Sequence, residues 1–219
     1  MKAVDLVLFD LDGTLADTAP DLAGAVNRML MARRREPLPL ADLRPVASHG
    51  ARGLLGRAFG VGPDDAGFEA LRQEFFREYE RALCVESCLF PAMHAALTEL
   101  EDRGVLWGIV TNKVARFTEP LVRALGLHER AACVVSGDTA ARPKPDPAPL
   151  LHALAATTTA ADAALYVGDD LRDIQAGRAA GMRTVAVSYG YLGDGPHYAQ
   201  WGADHIIHSP SELLNLVRP

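Results

Sequence analysis

Two carboxylates separated by one residue, Asp10 and Asp12, stand at the end of a short apolar run, Val4 to Phe9, and Gly13 and Thr14 then turn the chain. A bounded apolar run of this kind reads as a buried strand. Side chains alternate along a strand, but past its end the loop can curl and bring both carboxylates to one reacting centre. There one carboxylate serves as nucleophile and the other as general acid and base. With a nearby acid the same oxygens make a seat for Mg²⁺. Such chemistry needs partners, and the chain supplies them after other apolar runs: Thr111, Asn112 and Lys113; then Lys144 in Arg-Pro-Lys-Pro-Asp-Pro; then Gly168, Asp169, Asp170 and Asp173. A phosphate monoester dianion repels a carboxylate nucleophile, so a lysine and a divalent cation are what phosphoryl transfer at Asp10 requires. A carboxylate is also a good leaving group, its conjugate acid having a pKa of about 4, so an acyl phosphate hydrolyses once water is activated.

The elements that must position these loops alternate from about residue 90 onward. Helices are expected over 92–103, 116–125, 147–156 and 171–180, with a last one from Ser211, and strands over 106–111, 133–136, 165–167, 184–187 and 205–207. Alternation of this type calls for a parallel sheet covered by helices on both faces, and ligands bind outside the carboxyl ends of its strands. Residues 20–84 read differently. Leu22, Val26, Met29 and Leu30 carry helical spacing, as do Leu71, Phe75, Phe76 and Tyr79, with Gly50, Gly53, Gly56 and Gly60 between them and no strand. The expectation is an α/β, Rossmann-like core domain over 1–15 and 87–219, with an inserted α-helical cap domain over 16–86.

The 219 residues carry a formal net charge of −6 and are 49% hydrophobic, an ordinary globular composition that argues against a nucleic-acid partner. Arg33, Arg34 and Arg35 read as a solvated helix end. No signal peptide and no membrane-spanning apolar stretch is visible, which points to a cytoplasmic protein. Cys84, Cys88 and Cys133 suit a reducing compartment; the spacing of the first two places them on one helix face, as packing and not as a zinc site.

Taken together the motifs resemble the haloacid dehalogenase-like hydrolases, specifically the phosphatases with a helical cap inserted after the first strand. Asp-Leu-Asp-Gly-Thr, the Thr-Asn pair after a strand, the Lys-Pro-Asp-Pro turn and Gly-Asp-Asp-Leu-Arg-Asp occur in that family's order. The resemblance implies an aspartyl-phosphate formed on Asp10. Asp12 would protonate the leaving alkoxide and then deprotonate the hydrolytic water. Mg²⁺ would be held by Asp10, the Asp12 backbone carbonyl and Asp169. Asp173 would orient metal-bound water or the lysine, with Asp170 sharing that work, although both compete with simple charge stabilisation at a helix N-terminus. Gly13, Thr111, the Asn112 backbone and Lys144 would hold the phosphoryl oxygens. Lys113 reads as a solvent-facing neighbour.

The second carboxylate, Asp12, separates this pattern from the dehalogenases of the superfamily, which lack it and need no Mg²⁺. Sugar phosphomutases keep the pair and stay open as an alternative, as does a non-catalytic phosphate-binding regulator. The specificity loop is expected at Ser48–Gly53, with Arg52 taking a substrate carboxylate bidentately and His49 a hydroxyl. The segments 107–113, 116–120 and 201–204 are similar to those of the bacterial phosphoglycolate phosphatase group and of the N-acetylmuramic acid 6-phosphate phosphatases. The expected partner is a small-molecule phosphate ester, and the expected assembly a monomer or homodimer. Gly190, Tyr191 and Trp201 are expected in ordinary packing, not at a pocket mouth.

Overall fold

The computed structural model describes residues 3–217. Strand β1 (Leu6–Phe9) is buried along its whole length. It lies between β4 (Leu106–Val110) and β6 (Ala164–Gly168), and β5 (Val134–Val135), β7 (Arg183–Val187) and β8 (His205–Ile207) extend the sheet in the order β5-β4-β1-β6-β7-β8. All of these pairings are parallel. The chain leaves β1 toward β4 and β5, then returns to build β6, β7 and β8 on the other side. Loops after β4 and β6 therefore diverge over the end of β1, and that divergence opens the crevice in which Asp10 sits.

Alternation in β1 divides the core between the two faces. Val7 and Phe9 pack with α5 (Met93–Asp102) and α6 (Ala115–Ala124), through Leu97, Leu100, Phe117 and Leu121. Leu6 and Leu8 pack with α7 (Ala148–Thr157) and α8 (Leu171–Ala179), through Leu150, Ala153 and Ala176. Each side chain so buried stabilises the fold by about 1.5–3 kcal/mol. The element ends lie within a residue or two of the expected ones, but the final helix is a 3-10 stretch, Pro210–Asn215.

Residues between the first and second sheet strands form a helical block. Helix α1 (Ala19–Ala32) packs against α3 (Gly50–Phe59) and α4 (Phe68–Arg81), with α2 (Leu40–Leu43) and a 3-10 turn, Arg44–His49, between them. A two-residue ribbon that the sequence pattern does not reveal, β2 (Ala16–Asp17) against β3 (Cys88–Leu89), ties the entering and leaving chains side by side. Asp21 reinforces the tie. Its buried carboxylate accepts from the N–H groups of Val85, Glu86 and Ser87 and from the Ser87 hydroxyl. Cys84 and Cys88 do not share a helix: the first follows α4 and the second is an exposed residue of β3. At the end of α1, Arg33 pairs with Glu74, and Arg33 and Arg35 both lie over the Phe59 ring.

Candidate active site

Asp10 follows β1 directly, its N–H bonded to the Val167 carbonyl of β6. Asp169 follows β6, and Asp173 lies in the first turn of α8. Oxygens of Asp10, Asp169 and Asp173 lie within 4.8 Å of one another, and all three residues are buried. Gly13 makes the approach of the two loops feasible. Its φ is +91°, and a Cβ there would stand 2.2 Å from Asp169 Oδ2, so no other residue fits without displacing that carboxylate.

Lys144 supplies the cation inside this cluster. Its Nζ donates to Asp10 Oδ1 at 2.7 Å, Asp173 Oδ1 at 2.8 Å, the Tyr166 hydroxyl at 2.7 Å and the Val110 carbonyl at 3.1 Å. Burial alone would lower the Lys144 pKa; the Asp10 and Asp173 carboxylates more than offset it. The loop carrying Lys144 is held by Asn112, whose amide accepts from the Lys144 N–H and donates to its carbonyl, both at 2.9 Å. Asn112 thus fixes Lys144 with its side chain, a task beyond the backbone role expected of it. Thr111 is buried beside it, its hydroxyl accepting from the Lys113 N–H.

One lysine does not balance the carboxylates. Burial pushes Asp10 up to about 6 against the pull of Lys144, and burial together with Asp10 and Asp173 drives Asp169 well above the usual carboxylate range. A donor set made only of buried carboxylate oxygens, with Asp10 and Asp169 raised chiefly by burial, fits a hard divalent cation such as Mg²⁺. Asp169 is oriented for such a role by Thr14 Oγ1 at 3.2 Å, Ser48 Oγ at 3.3 Å and the Tyr191 N–H at 2.8 Å.

The two acids of the Asp169–Asp173 segment with ambiguous assignments part company. Asp170 is the N-cap of α8, accepting from the Arg172 N–H, and pairs with the Arg172 guanidinium at 2.7 Å. Burial raises its pKa, but Arg172 more than offsets this and the net shift is downward. Asp173 does both jobs, accepting from the Asp170 N–H with Oδ2 and from Lys144 with Oδ1.

The Asp12 side chain lies outside the acidic cluster. Its Oδ1 accepts from Thr18 Oγ1 at 2.5 Å and faces Lys113 Nζ at 3.1 Å. Lys113 is not solvent-facing: its side chain is 8% exposed and its ammonium lies 4.7 Å from the centre of the Tyr79 ring. The reason is α4, which covers Lys113 from above and which no local pattern around residue 113 reveals.

These groups open into a cavity of about 410 Å³ between the sheet edge and the helical block. Phe68, Phe75, Phe76, Tyr79 and Phe117 form an apolar wall, and His49, Arg52, Arg72 and Arg172 a polar one. The expected 48–53 loop does reach this cavity. Arg52 lines it without an ion pair among the described residues, whereas Arg72 pairs with Glu69. His49 lies 3.9 Å from Asp170, its pKa lowered by burial and by Arg172. Arg172 also donates to the Ser48 carbonyl, so the first turn of α8 and the 3-10 turn before α3 are bonded directly. Across the cavity Arg116 pairs with Glu80, and Phe117 packs on Phe76 and Tyr79. Tyr191 does not frame the mouth. Its hydroxyl accepts from the N–H groups of Thr18 and Ala19, and Trp201 is buried in a small cluster with Ile174 and Ala186.

Sequence reasoning missed Lys113, Tyr166, Thr18, Arg172 and the aromatic wall. Phe75, Phe76 and Tyr79 were visible as a helical apolar stripe, but a stripe does not say whether it covers a core or a ligand.

Comparison with known proteins agrees with this geometry. Residues 7–187 match the family model of the haloacid dehalogenase-like hydrolases. An N-acetylmuramic acid 6-phosphate phosphatase of Pseudomonas putida is 45% identical over 214 residues, covering 96% of this chain and 95% of that protein. A phosphoglycolate phosphatase of Xanthomonas campestris pv. campestris is 46% identical over 214 residues, covering 97% and 96%. The crystal structure of a predicted phosphoglycolate phosphatase from Haemophilus somnus superposes with a TM-score of 0.87 at 28% identity, covering 100% of both chains. Among the described residues no helix is long and apolar enough to cross a membrane.

Proposed function

This chain belongs to the haloacid dehalogenase-like hydrolase family and is a phosphatase; on that premise we propose that Asp10 is its nucleophile and that its substrate is a carboxylated sugar phosphate of the N-acetylmuramic acid 6-phosphate kind. The observation that carries the reading is the cavity. Asp10 stands at its floor beside Lys144, and about 410 Å³ of space above is lined by an aromatic wall and by Arg52, which has no ion pair among the described residues. Pockets of about 300–1,000 Å³ suit ligands of drug size. A two-carbon phospho-acid leaves most of this space unfilled, whereas an N-acetylated sugar bearing a lactyl group offers apolar methyls to the wall and a carboxylate to Arg52. The 2-phosphoglycolate reading shares the same chemistry but gives the aromatic wall nothing to contact.

The chain's own residues carry the following steps. Lys144, with Thr111 and backbone N–H groups of the Asp10–Gly13 and Asn112 loops, holds the phosphoryl oxygens and concentrates positive charge where the transition state becomes negative. Asp10 attacks phosphorus as the bond to the ester oxygen breaks, and Asp12 gives its proton to that oxygen. Asp12, now ionised, takes a proton from water attacking the aspartyl-phosphate, and the bond between phosphorus and Asp10 breaks to release phosphate. Hydrolases of this family generally use Mg²⁺; Asp10, the Asp12 carbonyl and Asp169 would hold it, and it would offset the repulsion between carboxylate and dianion. Residues 16–86 act as the cap, excluding water from the intermediate and supplying specificity.

The test is Mg²⁺-dependent phosphate release from N-acetylmuramic acid 6-phosphate and from 2-phosphoglycolate under identical conditions. A preference in kcat/KM of about 100-fold or more for the sugar is expected, since remote binding energy is expressed in the transition state. Preference for phosphoglycolate overturns the substrate reading, and full turnover by Asp10→Asn overturns the nucleophile.

A further inference from the structure

Asp12 is gripped from two sides. Thr18 Oγ1, at the entrance to the helical block, and Lys113 Nζ, from the loop after β4, both meet the same oxygen, Oδ1. Oδ2 accepts no hydrogen bond from the described residues, and Asp12 lines the cavity. A carboxyl held in this way has one anchored oxygen and one oxygen left to carry a proton to a ligand. Lys113 is itself held. Its side chain is nearly buried, it lies over the face of Tyr79 from α4, and it makes no contact with Asp10, Asp169 or Asp173 among the described ion pairs. Tyr79 is 1% exposed, and among the described residues its hydroxyl has no hydrogen-bond partner of good geometry. A lysine here is costly to bury, and its one carboxylate partner is Asp12.

We propose that Lys113 is a positioning residue for Asp12: pressed down by Tyr79 of the helical block, its ammonium pins Oδ1 and leaves Oδ2 aimed at the leaving-group oxygen. The proposal rests on the acid role assigned to Asp12 above and adds a dependence on the helical block. Proton donation is correctly aimed only when α4 lies over Lys113, so departure of the alkoxide is coupled to closure over the substrate.

Leaving-group dependence separates this from a merely structural role. Phenyl phosphate and p-nitrophenyl phosphate present the same ring and the same phosphate to the enzyme. Phenolate, with a conjugate-acid pKa of about 10, needs a proton as it leaves, whereas the nitro group lets its phenolate depart with little help. The parameter to compare is kcat/KM, which reports the steps through departure of the leaving group. General-acid catalysis is worth about 10²–10⁴-fold, and mispositioning forfeits part of it. Lys113→Met is therefore expected to lower kcat/KM for phenyl phosphate about 10-fold more than for p-nitrophenyl phosphate. Lys113→Gln, which keeps a hydrogen-bond donor at that depth, is expected to change the same ratio less. The ratio is taken within one preparation, so a smaller active fraction cancels. Equal losses on both esters in Lys113→Met overturn the proposal, because a lysine that binds phosphate or supports the fold affects both alike. An Asp12→Asn variant that loses no more on phenyl phosphate than on p-nitrophenyl phosphate overturns the acid role of Asp12 instead.

Discussion

Replacing Asp10 by asparagine should stabilise the metal-free protein while abolishing turnover. Asp10 is 8% exposed, and burial pushes its pKa from 3.8 up to about 6 despite the ammonium of Lys144. A carboxyl whose folded pKa lies above its unfolded one favours folding below the unfolded pKa, and that contribution is lost as pH rises through the folded value. At pH 7.5, above both, the ionised carboxylate costs about 3 kcal/mol relative to a group that titrates normally, at about 1.36 kcal/mol for each tenfold. Asparagine removes that cost, and Lys144 keeps Asp173, Tyr166 and the Val110 carbonyl as partners. For a domain of this size about 1 kcal/mol moves Tm by roughly 2–4 °C. Thermal unfolding in EDTA at pH 7.5 is therefore expected to give Asp10→Asn a Tm higher by roughly 6–12 °C as an upper bound. The gap should shrink to about 1 kcal/mol at pH 4.5, where folded Asp10 is protonated but the unfolded carboxyl is still largely ionised, and close only below the unfolded pKa of 3.8. Excess Mg²⁺ should narrow it at pH 7.5 by stabilising the wild type. A variant no more stable than wild type in EDTA at pH 7.5, or a gap as large at pH 4.5 as at pH 7.5, would refute the reasoning.

Arg52→Ala should raise KM for a carboxylated sugar phosphate at least about 10-fold while leaving p-nitrophenyl phosphate within about twofold, as expected for loss of one charge-assisted contact; steady-state kinetics on the two esters decides, and equal effects sink the assignment. Asp21→Ala leaves three backbone N–H groups of residues 85–87 without their acceptor and should lower the unfolding free energy by about 2–4 kcal/mol, read from urea denaturation. A loss below about 0.5 kcal/mol would mean that water replaces the carboxylate.

The buried carboxylates of the candidate site were legible because they depend on local order. Asp10, Thr111 and Asp169 each follow a strand closely, and in a parallel sheet all such positions gather at one edge whatever the rest of the chain does. Lys144 was legible through its motif, although it stands well beyond β5 and is brought back by the Asn112 side chain. The same reasoning did not separate Asp170 from Asp173. Both fall in the first turn of a helix, and which one caps and which one meets Lys144 depends on where Lys144 arrives from another loop. The Cys84–Cys88 spacing misled because a helix ends at Arg81, and the short β2–β3 ribbon that follows owes its existence to pairing between residues far apart in sequence.

Sequence alone therefore determined the kind of chemistry, the alternating sheet and the residues at its carboxyl edge, because strand periodicity and strand-end position are properties of short segments. Tertiary structure alone decided burial and partnership. Lys113 becomes a buried contact of Asp12 only because α4 lies over it, and Phe75, Phe76 and Tyr79 become a cavity wall only because the helical block faces the sheet edge. Desolvation sets the charge state of Asp10 and Asp169, and desolvation is a property of the packed whole, not of any segment of the chain.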